Sequence, residues 1–223
     1  MKKKLINELK ELMTDDRFAL FEKVLDKRTN YITVAVEEIY QSHNASAILR
    51  SCDCFGIQSV HVIEETNKFK PNPDVDMGAS KWLNINQYNK KNALEETIKD
   101  LKRKNYRVIA TTPHTNDTTL ENLDLSKGPV ALLFGTEMRG LTPEAIEMAD
   151  EHLKIPMYGF TESFNISVSV AIILHHLRLK LEQSNIDWKL TNDEKDEILL
   201  GWMKKSIKKS DMVIERLTNQ LNK

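Results

Sequence analysis

The alternation of short β-branched runs with amphipathic stretches restricts this chain more than any other feature. "YITVAVEEI" (31–39), "IQSVHVIEE" (57–65), "YRVIATT" (106–112), "PVALLFG" (129–135) and "HLKIPM" (152–157) read as strands. Helical spacing fills the gaps: "NASAILRSCDCFG" (44–56), with Asn44 as N-cap and Gly56 as stop, then 93–104, the segment opened by Thr142-Pro143-Glu144, and 164–183. Residues 67–80 read as a loop. Strands that alternate with helices predict an α/β fold, a mostly parallel sheet with helices on both faces. Leu5, Leu9, Leu12, Leu20, Val24 and Leu25 predict one amphipathic helix over 4–25, and the tail from Thr191 has a helical pattern of its own. The expected organisation is a helical extension over 1–29, an α/β domain over 30–184 and a second helical extension over 185–223.

At 223 residues the chain can bury one full core and still carry such appendages. No apolar run approaches the ~18 residues of a membrane span. "MKKKLINELKELMTDD" lacks an apolar secretory core, so a cytoplasmic protein with no membrane partner is expected. Cys52 and Cys54 are the only thiols and cannot make a four-ligand zinc site, so no metal is expected. The net charge of −1 advertises no polyanionic partner. The tail, however, concentrates Lys204, Lys205, Lys208 and Lys209 into a strip that could follow phosphates.

Open parallel sheets bind ligands beyond the carboxyl ends of their strands. Neither a G-x-G-x-x-G nor a G-x-x-x-x-G-K-[ST] loop is present, which argues against ordinary dinucleotide or P-loop binding. Three polar corners stand there instead. "SHNASAILRS" follows the first strand with Asn44 and Arg50, "GTEMRG" follows 129–134 with Glu137 between Gly135 and Gly140, and "YGFTESFN" follows 152–157. The last raises its own question, because the apolar helix of "NISVSVAIILHH" has no packing need for so polar an entrance.

In that order, "NASAILR", "LLFGTEMRGL" and "IPMYGFTESFNISVSVA" resemble the three motifs of the SpoU class of ribose 2′-O-methyltransferases, in the knotted SPOUT superfamily. The likeness covers roughly residues 30–180. With the flanking helices and "GWMKK", it is most like the TrmH-type tRNA (guanosine-2′-O-)methyltransferases. The resemblance implies a C-terminal trefoil knot, an exception to the rule against threading. It also implies a homodimer and S-adenosylmethionine bound in the knot cleft. The polar entrance would then face the reaction centre.

Carried over by position, Arg50, Asn44, Glu137, Ser163 and Asn165 take the catalytic places, and Thr111, Leu133, Gly135, Ile155, Met157 and Phe164 the cofactor-binding ones. Three positions depart from the usual pattern: Glu162 stands where glutamine is common, Phe164 where leucine is common, and Met138 where lysine is common, with Arg139 offset by one. The expected reaction is methylation of a ribose 2′-OH in tRNA, at guanosine 18 of the D-loop. The alternatives are a ribosomal RNA substrate, or an RNA-binding knot protein without activity. Candidate RNA contacts outside the cleft are Arg17, Arg28, Arg178, Lys180 and the strip Lys204, Lys205, Lys208 and Lys209. With only 7% aromatic residues, shape and phosphate recognition is expected over base stacking.

Overall fold

A computed structural model describes residues 2–113, 118–136 and 138–221. They form two compact units, one running from Thr29 to Trp188 and the other built from the residues on either side of it. In chain order the helices are α1 (Lys2–Lys10), α2 (Asp15–Leu25), α3 (Ser42–Cys54), α4 (Pro73–Asp76), α5 (Ala93–Arg103), α6 (Pro143–Met148), α7 (Ile166–Glu182), α8 (Asn192–Ser206) and α9 (Ser210–Leu221). The strands are β1 (Ile32–Glu37), β2 (Ser59–Ile63), β3 (Asn84–Tyr88), β4 (Arg107–Thr111), β5 (Thr118–Thr119), β6 (Val130–Phe134) and β7 (Glu151–Lys154).

All seven strands pair in parallel, in the order β3-β2-β1-β6-β4-β7-β5. The chain lays β4 down away from β1, and β6 then fills the gap. Val130–Phe134 of β6 pair with Ile32–Val36 on one side, and Val130–Leu133 with Arg107–Ala110 on the other. Successive side chains point to opposite faces, so these buried strands serve two cores. Ile32, Val34, Val36, Ile109, Leu132 and Phe134 face α3 and α7 through Ile48, Leu49, Val170, Ile173 and Leu177. Ala35, Val108, Ala110, Ala131 and Leu133 face α5 and α6 through Ile98, Leu101 and Ala145.

The expected α/β sheet is present, and its local boundaries differ in instructive ways. β3 pairs with β2 although Asn84, Asn86 and Gln87 give it no apolar run, because it is an edge strand and only partly covered. The 67–80 segment contains α4, capped by Asn72, and a short 3-10 turn over Ala79–Trp82. The expected single helix over 4–25 is two helices, because Thr14 accepts from the Arg17 backbone N–H and starts α2 afresh, with Asp15 and Asp16 in its first turn. Gln41, not Asn44, occupies the N-cap position of α3, so Asn44 lies within the first turn and is buried.

In the helical unit, Leu5, Leu9, Phe18, Phe21, Leu25, Ile198, Leu199, Trp202 and Met203 are buried. Phe21 meets Trp202 edge-on at 5.7 Å, and the Arg28 guanidinium lies 5.4 Å from the Trp202 ring centre. Thr191 and Glu194 form a capping box at the start of α8. Lys2 bridges to Asp193 at 3.2 Å and Lys195 to Asp26 at 2.6 Å. Such solvated pairs contribute little to stability. Among the described residues, no helix is long and apolar enough to cross a membrane.

Leu132 has no exposed surface and stands in the strand that joins the two halves of the sheet. Leu132→Ala should therefore cost ~2–5 kcal/mol, read as a lower urea midpoint at unchanged slope.

Candidate active site

Three loops leave the carboxyl ends of β4, β6 and β7 and meet over one opening. Its main cavity is about 440 Å³ and is lined by Thr111, Thr112, Pro113, Phe134, Gly135, Thr136, Met138, Arg139, Gly140, Leu141, Ser163, Phe164, Asn165 and Ser169, among others. A smaller recess of about 60 Å³ shares Thr111, Thr112, Pro113, Ser163, Phe164 and Ser169 with it, and adds Leu153, Ile155 and Met157.

The loop after β6 depends on two glycines. The backbones of Thr136 and Gly140 bond to each other at 2.9 and 3.1 Å, folding the loop back on itself. A Cβ on Gly135 would lie 2.0 Å from the carbonyl carbon of Gly140 and 2.2 Å from the amide nitrogen of Leu141, so no other residue fits there. Gly140 has φ +70, a left-handed conformation natural to glycine.

The entrance of α7 answers the question its sequence raised. Asn165 is the N-cap, and its side-chain oxygen accepts from the Ser167 backbone N–H at 2.9 Å and from the Ser167 hydroxyl at 2.6 Å. Its amide nitrogen donates to Asn44 Oδ1 at 3.2 Å, joining two sequence motifs across the core-facing helices α3 and α7. Asn44 in turn donates to Gln41 Oε1 at 3.2 Å. Ser46, two residues further along α3, accepts from the Asn72 amide and donates to the Ser42 and Asn72 carbonyls, holding the following loop against the helix.

Of the residues expected at the site, Thr111, Gly135, Ile155, Met157, Ser163, Phe164 and Asn165 line the two cavities. Leu133 is buried behind them, and its carbonyl accepts from the Thr111 hydroxyl at 2.9 Å. Asn44 reaches the site through Asn165. Glu137 lies outside the described residues. Arg50 is exposed on α3 and is not among the residues that line either cavity. Six residues past Asn44, it stands about 240° further round the helix.

The outlying basic candidates divide by environment. Arg28 and Arg178 are buried against Trp202 and Trp188, and are thereby removed from any phosphate-facing surface. Arg178 lies 3.9 Å from the Trp188 ring centre and pairs with Glu182; burial lowers its pKa against the opposing effect of that carboxylate. Lys180 donates to the Glu121 and Leu123 carbonyls. Arg17 lies over the Phe21 ring at 4.9 Å. Lys204, Lys205, Lys208 and Lys209 are exposed.

Thr112, Pro113, Thr136 and Arg139 also line the main cavity without being among the site residues expected from sequence, as does Ser169 of the polar entrance to α7. Their signal is position alone, in the loops that leave the strands and in the first turn of α7. A separate cavity of about 510 Å³ beyond β1 and β2 is walled by Glu37, Glu38, Glu65, Glu95 and Glu144. There burial raises the Glu37 pKa, although the Thr142 hydroxyl and amide donate to its carboxylate. Among the described residues, no group of three or more His, Cys, Asp or Glu could hold a metal ion.

Comparison with known proteins accounts for this arrangement. The family model described as the SpoU rRNA methylase family matches residues 31–175. A tRNA (guanosine(18)-2'-O)-methyltransferase of Borreliella burgdorferi is 44% identical over 216 residues, 97% of this chain and 97% of that protein. The enzyme of the same name from Thermus thermophilus is 32% identical over 194 residues, 86% of this chain and 98% of that one. The crystal structure of an A. aeolicus TrmH/SpoU tRNA modifying enzyme superposes with a TM-score of 0.77 at 28% identity, over 87% of this chain and 98% of that one. The parallel sheet is thus one that a solved relative shares, and the chain belongs to the SpoU rRNA methylase family.

Proposed function

We propose that this protein is a tRNA methyltransferase that transfers a methyl group from S-adenosylmethionine to the ribose 2′-OH of guanosine 18. The observation that carries this reading is the near-full-length match to enzymes of that name, which extends through the helical unit as well as the sheet. The reading includes the SPOUT trefoil knot and a cytoplasmic location.

The cofactor fits the cavity beyond the family likeness. A pocket of about 440 Å³ lies in the usual range for small molecules, and Gly135 lets the loop after β6 fold back tightly along its wall. Thr111, Gly135, Ile155, Met157 and Phe164 would hold it, with Leu133 fixing Thr111 from behind. S-adenosylmethionine supplies a methyl group already activated on a sulfonium. What the chain must add is alignment of the ribose and support for the charge that grows on its 2′-oxygen.

Arg50 is the residue we assign to that charge. Arginine is a fixed cation, so it stabilises a nascent alkoxide more naturally than it takes a proton. Asn44 and Asn165 orient the ribose side of the site, and Ser163 and Glu137 complete the polar set. Because Arg50 stands outside its own chain's cavity, a second copy offers the route by which it reaches one. Tyr158, Phe160, Phe164 and Val168 form an exposed apolar run beside the cavity that a homodimer would cover. The helical unit, with its exposed lysine strip, docks the folded RNA through phosphates. The tRNA substrate is favoured over ribosomal RNA by the relative of that name that covers 97% of this chain.

Methyl transfer from labelled cofactor to unmodified tRNA, with the product nucleotide mapped, tests the reading; label only in ribosomal RNA would overturn the substrate. Arg50→Ala should abolish turnover while leaving cofactor affinity within about twofold, whereas Gly135→Ala should weaken cofactor binding by about tenfold or more. The opposite pattern would reverse the two assignments. Replacing Lys204, Lys205, Lys208 and Lys209 with glutamine should weaken tRNA binding and flatten its salt dependence, the slope falling by about 0.7–0.9 for each phosphate no longer neutralised. An unchanged slope removes the strip from the interface. Sedimentation at assay concentration should show a dimer.

A further inference from the structure

We infer that Arg139 binds the phosphate on the 3′ side of the target ribose and so fixes the nucleotide for methyl transfer. The inference rests on the reading that the main cavity takes that ribose beside S-adenosylmethionine.

The chemistry of the substrate supplies the anion. The 2′ and 3′ oxygens sit on adjacent carbons of one ring, and the 3′ oxygen carries the phosphodiester to the next nucleotide. A site therefore cannot receive the 2′-OH without drawing that phosphate to its mouth. An anion stripped of part of its water there needs a countercharge or strong donors. Among the described residues that line the main cavity, only Arg139 is charged, and it shares that wall with Ser163 and Asn165. A guanidinium offers two parallel N–H donors that match a phosphate.

The cofactor brings an anion too, the carboxylate of its methionine part, and three observations turn Arg139 from it towards the RNA. Ile155 and Met157, which would hold the cofactor, line the smaller recess, whereas Arg139 lines only the main cavity. Arg139 is exposed, as a contact to an incoming macromolecule must be. No described carboxylate pairs with its side chain, while Arg103, Arg107 and Arg178 are tied to Asp100, Glu151 and Glu182. Its backbone, by contrast, is held. The Arg139 N–H donates to the Thr136 hydroxyl oxygen at 3.1 Å, inside the turn closed by Thr136 and Gly140. The cation thus starts from a fixed point at the cavity, which lowers the cost of ordering it on the phosphate.

Two substitutions and one altered RNA test this. Arg139→Gln removes the charge and Arg139→Lys keeps it, while tRNA with a methylphosphonate at the phosphate after the target guanosine removes the anion instead. Initial rates over a range of salt should give Arg139→Gln a kcat/KM for tRNA about tenfold lower, with a salt slope shallower by about 0.7–0.9, the share of one phosphate. Arg139→Lys should keep the slope, and the dissociation constant for S-adenosylmethionine should stay within about twofold in both variants. On the methylphosphonate RNA the unsubstituted enzyme and Arg139→Gln should have kcat/KM equal within about twofold, because the interaction is already gone. Losses that add, an unchanged slope, or a weakening confined to S-adenosylmethionine overturns the assignment. The unsubstituted enzyme is measured first on ordinary unmodified tRNA. If it transfers no methyl there, the functional reading falls and this inference with it; if it is active and Arg139→Gln matches it, only the inference falls.

Discussion

The insertion of β6 between β1 and β4 is the constraint on which the rest of the protein depends. All five of its residues are buried, and it hydrogen-bonds on both edges, so its register fixes the two halves of the sheet against each other. The strands on either side come from distant parts of the sequence, so the pairing closes long loops before its contacts repay them. That register also places the site. Phe134 ends β6 level with Val36 of β1, and Thr111 ends β4 one residue beyond the partner of Leu133. The loops that start there have no choice but to meet.

At this edge the molecule separates neutral from charged chemistry. The main cavity is lined by glycine backbone, hydroxyls, an amide and apolar side chains, with Arg139 as the charged exception among the described residues. Glu37, Glu38, Glu65, Glu95 and Glu144 gather instead around the cavity beyond β1 and β2. With so few charges among its described residues, that wall leaves selection largely to shape and to the oriented dipoles. This is why single close approaches matter, such as that of Gly135 to Gly140.

The sheet and the three corners were legible because burial on both faces forces continuous apolar runs, and because glycine marks tight turns. Polar edges were less legible. β3 is held by backbone pairing to β2, which Asn84 and Gln87 neither help nor prevent. The basic residues were the least legible, because a charge count cannot see what covers a charge. Arg178 and Arg28 look like surface cations in the sequence, yet each lies on a tryptophan, Trp188 in one case and Trp202 from the far end of the chain in the other. The break between α1 and α2 did have a local signal, the Thr14-Asp15-Asp16 cap, which a continuous leucine spacing obscured.

Asn165 shows why folding and chemistry cannot be pulled apart at the third corner. As a helix cap alone, the position would accept Ser, Thr or Asp as readily. Aspartate would take the Ser167 N–H equally well, but it has no hydrogen to give Asn44 Oδ1 and would set a negative charge against that oxygen. Serine could cap, but its one short hydroxyl cannot also span to α3. Only an amide of this length accepts from its own helix and donates to the next one at the same time. The same logic applies at Asn44, where a carboxylate would fail towards Gln41. The polar entrance of α7 is thus neither decoration nor a simple cap. It is the point from which the orientation of every amide between α7 and α3 is set.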